Sequence, residues 1–355
     1  MASRQPPEVL WQRPNWSTEA GEARDQRLAH GCASVNHRRM RLSLLLLATG
    51  LLLTTTPASA SPLLLVDASS GAILAAQEPT RSWHPASLTK LMTAHLALMV
   101  VRSGGLSLDT SIVLSAKAAA QAPSKLGVSP GTSLRLEDAL LVMMVKSAND
   151  VAVAVAEAVS GSEAAFVTAM NAEARRLGMS GTRFVNASGL HHDRQVTNAR
   201  DMAVLMLAIL SHHGDRTELF RTSAVTVNGR MLKNTNKLVE DYAGLEATKT
   251  GYVCASGFNV AVSVVRGGRR LVGVVLGSPS AATRTQVTRE LLDIGLTGIT
   301  SPTGTLRTVR ADAPAPGTDL RRRKCGRQGP AIGTTVAAGG DGKPVGSAAA
   351  LPRRH

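Results

Sequence analysis

His84-Pro85-Ala86-Ser87-Leu88-Thr89-Lys90 runs straight into the apolar segment Leu91 to Val101, and no other stretch restricts the fold as much. Leu91, Met92, Ala94, Leu96, Ala97, Leu98, Met99, Val100 and Val101 cover most of a helical circumference, so this helix belongs in the middle of a domain. Ser87 and Lys90 are three residues apart, one helical turn, which brings the amine within reach of the hydroxyl. Pro85 is tolerated just inside a helix start, so Ser87 is expected in the first turn, where free N–H groups and the helix dipole favour developing negative charge. Ser87 is therefore a candidate nucleophile and Lys90 its base. A lysine serves as a base only when neutral; burial and a second cation, available at Lys249, both push it that way.

The ends of the 355-residue chain do not read as core. Arg38, Arg39 and Arg41 precede the apolar run Leu42 to Leu53, too short to span a bilayer comfortably, and Ala58-Ser59-Ala60 follows as a small-residue cleavage site. This predicts a secretory signal peptide over 40–60, cleaved after Ala60. Because such peptides start at the N-terminus, Met40 is read as the initiator and 1–39 as a start-site artefact or an extension. Residues 300–355 are rich in Pro, Gly, Ala and Thr and poor in large apolar side chains, which predicts a disordered tail whose removal leaves activity nearly unchanged. The folded part is then 61–299, ample for a large core.

The largest share of the net charge of +15 sits in that tail, where residues 301–355 hold 10 Lys and Arg against 3 Asp. Its clusters, Arg321-Arg322-Arg323-Lys324 and Arg353-Arg354, are of the kind that stays solvated or contacts anionic envelope surfaces. An exported chain with 3% aromatic residues has little use for nucleic acid and little to stack bases on. The tail is not amphipathic, so no C-terminal membrane anchor is expected and the mature chain is placed in the periplasm. Cys32 leaves with the leader, and one ordered and one disordered partner, Cys254 and Cys325, make no disulfide framework; none is expected. Adjacent histidines in His191-His192-Asp193 and His212-His213 rarely share a metal, and neither metal nor cofactor is predicted.

Along the folded part, Leu63 to Asp67 and Ala72 to Ala76 read as a hairpin around Ala68-Ser69-Ser70-Gly71. Helices are predicted at Leu136 to Lys146, Val151 to Val159 capped by Asn149 or Asp150, Ala164 to Leu177 ended by Gly178, and Ala199 to Ser211. Beyond Phe220 the pattern turns to strands, with Asn228-Gly229 as a tight turn, then Gly257 to Val265 and Leu271 to Leu276, both apolar enough to require helices over them. Ala282 to Leu292 is a final helix. Strands at both ends and helices between them predict an α+β fold: one antiparallel sheet from the two chain ends, flanked by helices, with an inserted all-helical lobe.

Ser87-x-x-Lys90, Ser147-x-Asn149 and Lys249-Thr250-Gly251 occur once each, in this order. Together with Gly178-Met179-Ser180-Gly181-Thr182-Arg183-Phe184-Val185-Asn186-Ala187-Ser188-Gly189-Leu190 and Lys249-Thr250-Gly251-Tyr252, they make the chain resemble the serine-type D-alanyl-D-alanine carboxypeptidases, low-molecular-mass penicillin-binding proteins, over roughly Leu63 to Gly295. The resemblance implies a β-lactamase/transpeptidase-like fold, a peptidoglycan pentapeptide as substrate and β-lactam antibiotics as covalent inhibitors. It implies that Ser87 attacks the penultimate D-alanine carbonyl while Lys90 takes its proton, and that the oxyanion is held by the Ser87 N–H and one near Tyr252 or Val253. Ser147 relays a proton to the leaving D-alanine, and Asn149 hydrogen-bonds the peptide. Lys249 and Thr250 bind the terminal carboxylate, Gly251 lets the substrate lie along a strand edge, and Arg284 resembles a position near the carboxylate site.

Three other readings use parts of the same sequence. A D,D-endopeptidase acting on cross-links would employ the same residues. A class A β-lactamase would need a deacylating Glu in a Glu-x-x-Leu-Asn setting, and none of the glutamates between Asn149 and Lys249 has one. A non-catalytic peptidoglycan-binding protein would have no need of intact motifs.

Overall fold

A computed structural model describes residues 61–299 and 301–321; the predicted leader and the tail beyond Arg321 lie outside them. β1 (Leu63–Asp67) and β2 (Ala72–Gln77) form the opening hairpin, and a 3-10 turn, Ala86–Leu88, leads into α1 (Thr89–Arg102). The middle of the chain supplies β3 (Ser111–Val113), α2 (Ala116–Ala119), β4 (Ser133–Arg135), α3 (Leu136–Val145), α4 (Asn149–Ser160), α5 (Glu163–Arg176) and α6 (Ala199–His212). α7 (Glu218–Arg221), the hairpin β5 (Ala224–Val227) with β6 (Arg230–Lys233), and α8 (Leu238–Asp241) follow. The chain then re-enters the main sheet as β7 (Leu245–Val253), β8 (Gly257–Arg266) and β9 (Arg269–Ser278), before α9 (Ala281–Leu296) and β10 (Gly304–Thr305).

The main sheet has six strands in the order β10-β2-β1-β9-β8-β7, all antiparallel, and β1 lies directly against β9. The two ends of the folded chain thus share one sheet, as the α+β reading expects. Leu64 and Val66 point into the larger core with Met202, Leu205 and Ile209 of α6, whereas Leu65 points the other way, to Val260, Val262, Leu291 and Leu292 beneath α9. A strand apolar on both faces needs a layer on each side. Burying each such side chain is worth about 1.5–3 kcal/mol, enough to make this two-sided cover the dominant support of the sheet. α1 occupies the centre: Leu91, Met92, Ala94 and Ala97 are all fully buried, against α4 and α6.

Two expectations are overturned. The tail does not begin at residue 300: Gly304 and Thr305 pair with Ile73 and Ala72, and Leu306, Ala311 and Leu320 are buried on the domain. Composition missed this because the segment is held mainly through its backbone, which even a Pro- and Ala-rich stretch possesses. Nor is Cys254 an unpaired thiol, for it is disulfide-bonded. The chain's other cysteines, Cys32 and Cys325, are not among the described residues. Leu320 donates its N–H to Ala255 O at 2.9 Å, which brings the C-terminal segment beside Cys254, a proximity no spacing in sequence could reveal. Among the described residues no single helix is long and apolar enough to cross a membrane.

Candidate active site

The turn that carries Ser87 is strained and tightly enclosed. Ala86 has φ +49°, a left-handed conformation that costs a residue with a Cβ roughly 1–2 kcal/mol, so its surroundings must hold it. Two glycines do so by proximity. A Cβ at Gly189 (φ +88°) would lie 2.0 Å from Ala86 O, and one at Gly251 would lie 2.9 Å from Ser87 N and 3.0 Å from Pro85 O. β7 therefore runs directly along the Ser87 turn, which only a residue without a side chain at position 251 allows. From the next strand, Asn259 Nδ2 donates to His84 O (3.0 Å) and Pro85 O (3.2 Å), and its Oδ1 accepts from Gly277 N (2.9 Å).

Lys90, on the first turn of α1, is completely buried. Its Nζ donates to Ser87 Oγ at 3.2 Å, to Asn149 Oδ1 at 2.7 Å and to Ser188 O. Burial and then the Lys249 charge hold this amine well below the usual lysine range, against the opposing pull of Asp150. Asn149 heads α4, where the sequence suggests a cap. Ala148 is the N-cap instead, without a side-chain bond, and the Asn149 side chain spans Lys90 and Ala122 O (2.9 Å). Ser147 beside it has φ +60°, a second strained residue at the site. Asp150, fully buried, accepts from the N–H groups of Leu126 and Gly127 and so fastens the loop that flanks this turn.

From β7, the buried Lys249 donates to Ser147 Oγ at 3.0 Å and to Thr250 O at 2.9 Å. Its amine is pushed down to about 7, by burial and then by the Arg284 charge. Arg284, in the first turn of α9, is 5% exposed; burial lowers its guanidinium to about 10, and its Nε is buried without a hydrogen-bond partner. Among the described residues no carboxylate forms an ion pair with Lys90, Lys249 or Arg284. Lys249 and Arg284, buried and left this way, define a place for an anion. Thr250 is half-buried next to them, and Tyr252, 46% exposed, stacks on Phe258 at 4.3 Å between ring centroids.

The structure thus joins all three sequence signatures: Lys90 touches both Ser87 and Asn149, and Lys249 touches Ser147. A hydroxyl against a buried amine held below the usual lysine range, a second hydroxyl hydrogen-bonded to another buried amine, an open strand edge and an anion pocket suit covalent acyl transfer to a serine. Asn259 and the Ser188 carbonyl are the participants that motif reading missed. Asn259 could have been found as the one amide side chain inside the apolar run Gly257 to Val265; the carbonyl has no sequence signal. The histidines flagged as metal candidates do other things. His191 Nε2 meets Asp193 Oδ1 at 3.1 Å, and His213 Nε2 meets His95 Nδ1 at 3.0 Å, with His95 Nε2 2.9 Å from Glu173 Oε1.

Comparison with known proteins places the chain in a family. The sequence profile of a family described as D-alanyl-D-alanine carboxypeptidase matches residues 53–280. The chain belongs to this family. Among characterised members it is 30% identical over 235 residues to the D-alanyl-D-alanine carboxypeptidase DacF of Bacillus subtilis, covering 64% of this chain and 60% of that one. It is 32% identical to the D-alanyl-D-alanine carboxypeptidase DacD of Escherichia coli over 244 residues, 67% of this chain and 63% of that one. The chain therefore spans only about three-fifths of the length of these carboxypeptidase relatives. Penicillin-binding protein D2 of Listeria monocytogenes, solved in a cefotaxime-bound form, shares the fold with a TM-score of 0.61 and 31% identity, over 67% of this chain and 97% of that one.

Proposed function

We propose that this family member is a serine D,D-carboxypeptidase that removes the terminal D-alanine from peptidoglycan stem pentapeptides through an acyl-enzyme on Ser87. The observation that carries the reading is Lys90: a fully buried amine, driven toward its neutral form, 3.2 Å from the Ser87 hydroxyl. Ser87 Oγ attacks the carbonyl carbon of the penultimate D-alanine and its proton passes to Lys90 Nζ. Negative charge on the carbonyl oxygen is met by the Ser87 N–H and an N–H of β7 near Tyr252 or Val253. As the C–N bond breaks, the leaving amine takes a proton from Ser147 Oγ, which Lys249 resupplies. Asn149 holds both Lys90 and the peptide. The substrate lies along the open edge of β7, with its terminal carboxylate between Lys249, Thr250 and Arg284. Water then attacks the acyl-enzyme, one of its protons returning through Ser147 to Lys249, and as the bond to Oγ breaks Lys90 gives Ser87 back the proton it had taken.

This reading brings with it export to the periplasm, acylation by β-lactams and loose contact of the basic tail with anionic envelope surfaces. One relative, 33% identical over 204 residues, is a D-alanyl-D-alanine endopeptidase from Pseudomonas aeruginosa, so cross-linked peptides are the alternative substrate. The test is mass spectrometry of products from uncross-linked and cross-linked muropeptides. D-alanine release from pentapeptide by the wild type, abolished in a folded Ser87→Ala variant, is expected. Wild-type turnover by Ser87→Ala contradicts the mechanism, and cleavage of cross-links without D-alanine release replaces the substrate.

A further inference from the structure

The described part of the C-terminal segment is laid across the domain from the edge of the sheet to the rim of the site. Thr303 N donates to Ile73 O at 2.9 Å and Leu306 N to Gly71 O at 3.0 Å, on either side of β10. The carbonyls of Val309, Ala311 and Ala315 then accept in turn from Arg200 Nε (3.1 Å), Ser180 Oγ (2.7 Å) and Ser82 Oγ (2.7 Å). Thr318 N donates to Ser82 O at 3.2 Å, and Leu320 N reaches Ala255 O. Between these points Gly317 passes over the His84 ring so closely that a Cβ there would lie 2.8–3.1 Å from Nε2, Cε1 and Cδ2. That ring cannot step aside, because its Nδ1 is fixed at 3.0 Å from Gln195 O and His191 packs edge-on at 4.9 Å.

Both landing points border the chemistry. Ser82 and His84 belong to the segment that delivers Ser87, and Ala255 belongs to the turn that ends β7, next to the disulfide-bonded Cys254. The strained Ala86 lies between His84 and Ser87, and a left-handed alanine relaxes unless neighbours fix the chain on each side of it. We propose that Thr303–Arg321 is a positioning strap for acylation: it ties the entry of the Ser87 turn to the end of β7 and so holds the nucleophile against the strand along which substrate binds. The strap's residues touch neither substrate nor reacting atoms. Their effect passes through His84 and the Val253–Ser256 turn, and the proposal rests on the acyl-enzyme reading above.

The test uses the full chain, a fluorescent penicillin and rates expressed per titratable site. In Gly317→Val the new side chain strikes His84, and in Leu320→Asp a carboxylate replaces a buried apolar contact. Each is expected to lower the first-order acylation constant at least tenfold while the noncovalent Kd stays within twofold; Leu320→Met is expected to retain the wild-type constant. A strap serving general stability alone would reduce the number of titratable sites and leave the constant per site unchanged. If trypsin cleavage after Arg310 shows the strap released in both variants and both acylate within twofold of wild type, the proposal is overturned and the acyl-enzyme reading stands. If neither variant folds, the strap is core rather than brace, which also overturns it. A wild-type chain that is not acylated at all removes the acyl-enzyme reading itself.

Discussion

In the proposed mechanism Lys249 has two tasks that call for its proton, attracting a carboxylate and resupplying Ser147, yet burial and Arg284 lower its amine to about 7. A bound carboxylate favours the ammonium, so binding takes up protons at pH 7 and above, and KM is expected to rise with pH through that region. Stability moves oppositely. The unfolded lysine keeps its proton up to about 10.4, so between 7 and that value the unfolded state binds more protons and folding is favoured as pH increases. Comparing thermal unfolding at pH 6.5 and 9, the wild type should gain on Lys249→Met by on the order of 1 kcal/mol; a constant difference would contradict the shifted amine. Gly251→Ala probes shape instead of charge. Its methyl meets backbone at Ser87 and Pro85, which cannot yield cheaply, so acylation should slow on the order of 10²-fold, as for a misplacement of about an ångström. An unchanged rate would mean that β7 does not abut the nucleophile as described. At this scale the sequence was legible where chemistry demands particular side chains, as at Ser87, Lys90 and Lys249. Ala86 and Ser188 were not, since a strained φ and a backbone carbonyl leave no mark on residue identity.

Among the elements, α1 and β7 could be anticipated, one from an apolar circumference and one from the residues after Lys249, whereas the bond that ties the turn before α1 to the main sheet could not. Asn259 of β8 supplies it, two amide hydrogens on the His84 and Pro85 carbonyls and an oxygen on Gly277 N, all in the interior. Asn259→Ala strands those buried groups, so a loss of about 1–3 kcal/mol is expected in denaturant unfolding, with slower acylation per site at temperatures where the variant remains folded. Equal stability would assign the turn's support elsewhere. Asn149 gives the complementary lesson. Residue type and position suggest a helix cap, but the helix begins without one and the amide oxygen instead accepts from the buried Lys90 amine, whose N–H groups need partners in the interior.

Over the whole molecule, the pairing of β1 with β9 closes the chain's two ends into one sheet and sets the helices between them around α1. That plan was readable from the order of strand-like and helix-like stretches. The C-terminal strap and the Cys254 disulfide were not, because both depend on which distant surfaces meet, and composition reports only how much apolar area a segment can bury. The account as a whole depends on Ser87 being acylated with Lys90 as its base. Its most direct test is peptide mapping by mass spectrometry after incubation with a penicillin. A single adduct on Ser87, absent from Ser87→Ala and formed far more slowly by Lys90→Ala, is predicted; an adduct on another residue, or none with folded protein, would contradict it.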